Sequence, residues 1–258
     1  MPSGPKVALV ASRLGYVHRG FETFARSLFD LLRDDLDITL FKGAGPSGSR
    51  EVVVPSLRAD GGLLEALGVP WARRRRFQEP SFAVGMIPSL LGEGYHVVQF
   101  SELLLGKTLA RLRPWFPLDM KLLFRNGAPS PPGLYADFDF IHQVNEVYAD
   151  QALQHGVPAE RMMTLPAGVD CCRFRVGTAE RTRELRRKWN LPCEAQVVLT
   201  VAAIRRRPKR IDYLIEEMGR LDPASFFLVV VGQASEDTPG LRQQAIRRIP
   251  GRFCFLML

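Results

Sequence analysis

The sequence predicts an α/β protein of two parallel-sheet domains with helices against the sheets, the second domain incomplete. Three observations predict it. Short apolar runs alternate with segments of helical periodicity along the whole chain, the order that gives βαβ units. The runs are apolar throughout instead of alternating with polar residues, as strands covered on both faces are. After a polar stretch at 178–195 the alternation starts afresh at Gln196.

The elements follow in order. Val7–Ser12 (VALVAS) reads as a buried strand, and a loop RLGYVHRG follows it. Phe21, Phe24, Ala25, Leu28, Leu31 and Leu32 then recur at helical spacing on one face. Asp37–Phe41 is a second strand, followed by a Gly/Ser/Pro loop from Gly43 to Ser49 and the run EVVVPSL. The segment Trp71–Pro80 (WARRRRFQEP) reads as exposed surface. His96–Phe100 is a strand, Leu103–Leu112 a helix, and Lys121–Gly127 and Asp139–Val144 are two further strands. Asn145 opens a helix that Gly156 closes as its C-cap, and MMTLPAGVD supplies one more strand and a loop. The polar helix Thr178–Asn190 is the linker candidate. Gln196–Ile204, Phe226–Gly232 and Arg252–Leu258 are strands, with helices at Ile211–Leu221 and Pro239–Ile249 between them. The expected domains are therefore 1–177 and 196–258, joined by 178–195. The last run, FCFLML, is apolar on both faces and reads as an interior strand with nothing left to cover it. The chain thus reads as an incomplete version of a longer protein.

At 258 residues, 46% hydrophobic and 24% charged, the composition is that of a folded globular protein. The net charge of +8 points to an anionic partner: a phosphorylated ligand, a nucleic acid or an anionic lipid surface. Cys171, Cys172, Cys193 and Cys254 form no CxxC pair and have no histidine at metal-ligand spacing, so no metal is expected and a reducing compartment fits best. The apolar run near the N-terminus, Val7–Ala11, is too short for a signal peptide, and none approaches the ~18 residues of a membrane span. The expected location is cytoplasmic, with peripheral contact at the inner face of a membrane through Arg73, Arg74, Arg75 and Arg76, which Trp71 and Phe77 flank.

In sheets of this kind ligands bind at the carboxyl ends of strands. The loop after the first strand carries Gly15 and Gly20 in a G-x4-G spacing. Phe21-Glu22 follow, not Lys-Ser/Thr, so it is no P-loop, and G-x-G-x-x-G is absent. What remains is a glycine turn at a helix N-terminus, which either holds an anion with backbone N–H groups or is a plain tight turn. The matching junction of the second domain carries Arg205, Arg206, Arg207, Lys209 and Arg210 within six residues. Cations there suit a diphosphate; a solvated basic loop is the plainer reading. Of the histidines, His18 in the glycine loop is the one of interest; His96, His142 and His155 read as structural.

Several stretches, taken in order, resemble the family 4 glycosyltransferases. These are VALVASRLGYVHRGFETFARSLFDLL, the strand YHVVQFSE, the segment GVPAERMMTLPAGVDCCRF, and VLTVAAIRRRPKRIDYLI followed by FFLVVVGQ. The resemblance implies a GT-B fold of two Rossmann-like domains facing a cleft. It also implies a retaining transfer of sugar from a nucleoside diphosphate donor to a glycan or lipid-linked acceptor, with no cofactor and no metal. Lys209 falls on the family's diphosphate-binding lysine. The family's glycine and arginine fall at Ala202 and Ala203, so Arg205 is the candidate for the missing charge. Gly15, Arg19, Gly20 and Glu22 match the N-terminal glycine loop on the acceptor side. Asn126 stands where many members have a histidine. The family's paired glutamates, seven residues apart, have no counterpart before Leu258, which implies a truncated second domain and leaves the catalytic residues unassigned. The rival expectation is a non-catalytic basic protein binding nucleic acid or a membrane surface, although no nucleic-acid recognition motif is present.

Overall fold

The computed structural model describes residues 4–17, 19–59 and 62–257; the side chains of Trp71, Ala72 and Arg75 lie outside that description. The chain packs as two units, dividing after Gly168.

The first unit contains β1 (Val7–Ala11), α1 (Gly20–Leu32), β2 (Ile38–Lys42), β3 (Glu51–Val53), α2 (Leu63–Ala66), α3 (Trp71–Glu93), β4 (Val97–Phe100), α4 (Leu103–Leu112), β5 (Lys121–Asn126), β6 (Phe140–Gln143), α5 (Glu146–Gln154) and β7 (Met162–Thr164). The strands form one parallel sheet in the order β3-β2-β1-β4-β5-β6-β7. The order reverses between β1 and β4, which opens a crevice at their carboxyl ends. On one face Leu9, Ile38 and Leu40 pack with Phe29 of α1. On the other, Val98, Phe100, Leu122 and Phe124 pack with Phe82 and Met86 of α3 and Leu105 and Leu109 of α4. Asn145 caps α5 by accepting from the Tyr148 N–H, and Gly156 beyond its end stands at φ +80°, as read from the sequence.

The segment 71–80, read as surface, is the first part of a 23-residue helix, α3, with Pro80 and Pro88 inside it. Two prolines remove two backbone donors and speak against a helix locally. Burial of Gln78, Phe82, Ala83, Met86 and Leu90 overrides that preference.

The second unit contains α6 (Ala179–Lys188), β8 (Gln196–Val201), α7 (Ile211–Met218), β9 (Phe226–Gly232), α8 (Thr238–Arg248) and β10 (Phe253–Met257). Its sheet is parallel, in the order β10-β9-β8. Ile211, Ile215 and Met218 of α7 and Leu241 and Ala245 of α8 join Leu228, Val230 and Phe255 in a single core. Helices therefore cover one face here, not two. On the opposite face Leu199 and Val201 remain 59% and 69% exposed, and β10 stands at the edge of the described sheet with nothing on its outer side, as its sequence implied. No helix among the described residues is long and apolar enough to cross a membrane.

Candidate functional site

In the first unit a cluster of buried polar groups gathers at the carboxyl ends of β1, β4, β5 and β6. Ser12, the residue after β1, donates its N–H to Glu102 Oε2 (3.2 Å) and its hydroxyl to Glu102 Oε1. Glu102 is the N-cap of α4 and is 3% exposed. Burial pushes its carboxyl up to about 7, with the nearby Glu79 carboxylate adding to the effect against the Ser12 hydrogen bonds and the Arg13 charge. Gln78 and Glu79 reach the same point from α3: Gln78 donates to the Tyr16 hydroxyl, and Glu79 accepts from the Leu104 N–H at 3.2 Å.

The glycine loop divides into two functions. Gly15 has φ +102°, and a Cβ there would lie 2.0 Å from the Ala44 carbonyl oxygen. The Gly43 and Ala44 N–H groups donate to Leu14 O, so the loop is pinned to the segment after β2. Gly15 is therefore accounted for by a tight turn and a close backbone approach. Gly20 is the first residue of α1, with nothing within 4 Å of a Cβ built on it. Arg19 is the extended N-cap of α1, and no side chain caps the helix. Glu22 is 1% exposed, with an oxygen 2.9 Å from Arg13 Nη2. Glu22 thus faces an arginine of its own loop. His18 lies outside the described residues.

Asn126 ends β5, is buried, and donates Nδ2–H to Gln143 Oε1 of β6 at 2.9 Å; its own Oδ1 is buried without a partner. Arg125 beside it is buried over the Phe24 ring of α1. His142, opposite Arg125 on β6, is held below its ordinary range by burial, and the Arg125 charge lowers it further.

In the second unit the loop after β8 is fastened by its backbone. Ile204 is fully buried, its N–H donates to Gln233 O (3.0 Å), and its carbonyl accepts from Ser235 Oγ (2.6 Å) and Thr238 Oγ1 (3.3 Å). Asp237 accepts the Arg206 N–H at 3.0 Å. Arg210 enters α7 in the left-handed region and lies 3.5 Å from Asp212. Arg205 is half-buried and Lys209 exposed; among the described residues neither makes an ion pair. The backbone of the loop is hydrogen-bonded in place, and Arg205 and Lys209 are left without a carboxylate partner among the described residues.

The four arginines of α3 are not one patch. Arg74 turns inward, donating Nε–H to Val69 O at 2.7 Å and Nη1–H to Ala59 O at 3.3 Å. It holds the segment before its helix and leaves Arg73 and Arg76 exposed; the Arg75 side chain is outside the description. Among the described residues no group of three or more His, Cys, Asp or Glu converges as a metal site does.

Sequence reasoning missed the Ser12–Glu102 clamp and the buried Arg125. Arg125 did leave a signal: a cation directly after the apolar residues LLF, within the run read as a strand.

No protein-family model and no curated protein matches the chain. Solved structures do. HepE from Anabaena, in complex with UDP and glucose, superposes with a TM-score of 0.72 at 15% identity over 99% of this chain and 70% of that one. Sucrose-phosphate synthase from Thermosynechococcus elongatus superposes at 0.72 with 17% identity over 98% and 70%. WaaG, a glycosyltransferase involved in lipopolysaccharide biosynthesis, superposes at 0.62 with 13% identity over 97% and 70%. The chain has the fold of these proteins. It spans about 70% of their length.

Proposed function

We propose that the protein is a glycosyltransferase, or the larger part of one, that binds a nucleoside diphosphate sugar through the second unit and an acceptor through the first. The observation that carries this is the junction after β8: a backbone fastened at Ile204 and Arg206 presents Arg205 and Lys209 without carboxylate partners, in a fold whose relatives include a UDP complex. Preorganised cations at a strand's carboxyl end stabilise charge developing on a departing diphosphate. On this reading Gly20 and Asn126 lie on the acceptor side, the transfer retains configuration, and Arg205 and Lys209 supply the positive charge without a metal.

Calorimetric titration with UDP tests it. Lys209→Ala should weaken UDP by ~10-fold or more, the equivalent of one charge-assisted hydrogen bond. Arg205→Ala should act in the same direction, and chelator should leave binding unchanged. Absence of UDP and GDP binding in the wild type would remove the proposal. A second reading, nonspecific polyanion binding, is favoured by one observation: residues 169–258 hold 17 Lys and Arg against 10 Asp and Glu, whereas 1–168 hold 18 against 17. Binding to random DNA that falls steeply with salt, with no nucleotide affinity, would decide for it.

A further inference from the structure

Arg125 ends up in an unusual place. It is 8% exposed, on a strand flanked by other strands, and its guanidinium carbon lies 3.7 Å from the centroid of the Phe24 ring. Its Nε is buried with no hydrogen-bond partner. Among the described residues its guanidinium makes no ion pair and no hydrogen bond. A guanidinium does not shed its proton to escape burial, so a charge is partly withdrawn from water with an aromatic face to offset the loss. Burial lowers its pKa, and no carboxylate opposes the shift. His142, its register partner across the sheet, is driven toward its neutral form by burial and by the Arg125 charge, and a histidine can offer no negative charge in either form.

Two neighbours extend the feature. Asn126 Oδ1, on the next residue, is buried without a partner, and as an acceptor it suits a sugar hydroxyl and not the anion itself. Gly127 follows, and a Cβ there would come within 2.5 Å of Arg125 Nη1. Any larger residue at 127 would press on the guanidinium. The cation, the amide and the cleared position all stand at the carboxyl end of β5, on the rim where open parallel sheets take their ligands.

We propose that Arg125 is the recognition point for an oxyanion, a carboxylate or a phosphate monoester, carried by the acceptor sugar. This rests on the transferase reading for the word acceptor, but not for the anion site itself. A planar guanidinium matches either group through paired N–H donors, and the ligand would supply the counter-charge that the fold omits. The acceptor is then an acidic or phosphorylated sugar and not a neutral one.

The test titrates the full chain, at constant ionic strength, with glucuronate, glucose 6-phosphate and glucose, using wild type, Arg125→Gln and Lys209→Ala. The expected result is that at least one anionic sugar binds wild type and Lys209→Ala alike, at least tenfold more tightly than glucose, and that Arg125→Gln removes this preference. Which anion binds identifies the source of the charge. No binding of either anion by wild type, equal binding of glucose, or an undiminished preference in Arg125→Gln overturns the proposal, as does loss of the preference in Lys209→Ala. Should Arg125→Gln not fold, Arg125→Lys gives the same decision, because it keeps the charge and loses the paired donors. UDP titrated in parallel separates the two readings. Failure of both UDP and GDP to bind wild type removes the transferase and leaves the anion site standing, while nucleotide affinity should be unchanged in Arg125→Gln.

Discussion

Glu102 is bound twice by one residue ninety positions away, and this ties the loop after β1 to the N-terminus of α4. Its carboxyl titrates near 7 in the folded state against an ordinary 4.5. A raised carboxyl pKa means that the folded state holds the proton more tightly. Its contribution to stability is therefore fully present below about 4.5 and is lost as pH rises toward 7. The loss is on the order of 3 kcal/mol for a shift of that size. Glu102→Gln keeps an acceptor for Ser12 and cannot ionise. Its stability relative to wild type should rise between pH 5 and pH 8 by a sizeable part of that figure, as measured by urea unfolding at the two values. A pH-independent difference would mean that the carboxyl is not desolvated as the geometry implies. Neither residue was legible alone: a serine after a strand and a glutamate before a helix are ordinary until the strand order places them together.

At the scale of elements, the two glycines of the first loop make opposite forecasts. Gly15→Ala forces a positive φ on a residue with a Cβ and drives that Cβ into the Ala44 carbonyl, so it should cost at least ~2 kcal/mol of stability in thermal unfolding. Gly20→Ala meets open space at the first turn of α1 and should change stability by less than ~1 kcal/mol. If Gly20 lies on the acceptor side as proposed, its variant should weaken acceptor binding while melting normally. The spacing G-x4-G displayed both residues without distinguishing them, because the difference lies in the segment after β2. Helix α3 shows the converse. Its prolines and its arginine run concealed a helix whose buried face is set by β1, β4 and α4, and Phe82→Ala, at 0% exposure, should cost ~3–5 kcal/mol.

At the scale of the molecule, charge is partitioned. Residues 169–258 carry a formal +7 and residues 1–168 only +1. Retention on a phosphate-bearing matrix should therefore fall more for Arg207→Gln/Arg210→Gln than for Arg73→Gln/Arg76→Gln, although each pair removes two charges, because the first pair sits among like charges that add to its field. Equal loss would mean that neither face dominates, and a larger loss for Arg73→Gln/Arg76→Gln would place the polyanion-binding face on α3 instead.

The alternation of apolar runs with helical segments, the restart at Gln196 and the cation run after β8 were all determined by the sequence itself, since each depends on residues within a few positions of one another. Periodicity and capping are short-range physics, and they placed most strands and helices to within three residues, with α2 and α3 missed. Only the tertiary structure decided that Arg74 is spent on carbonyls, that Ser12 meets Glu102 and that Arg125 is buried without a counter-charge. Those outcomes depend on which distant elements come to lie side by side, and whether a charge is solvated, paired or stranded is set by that neighbourhood and not by its place along the chain.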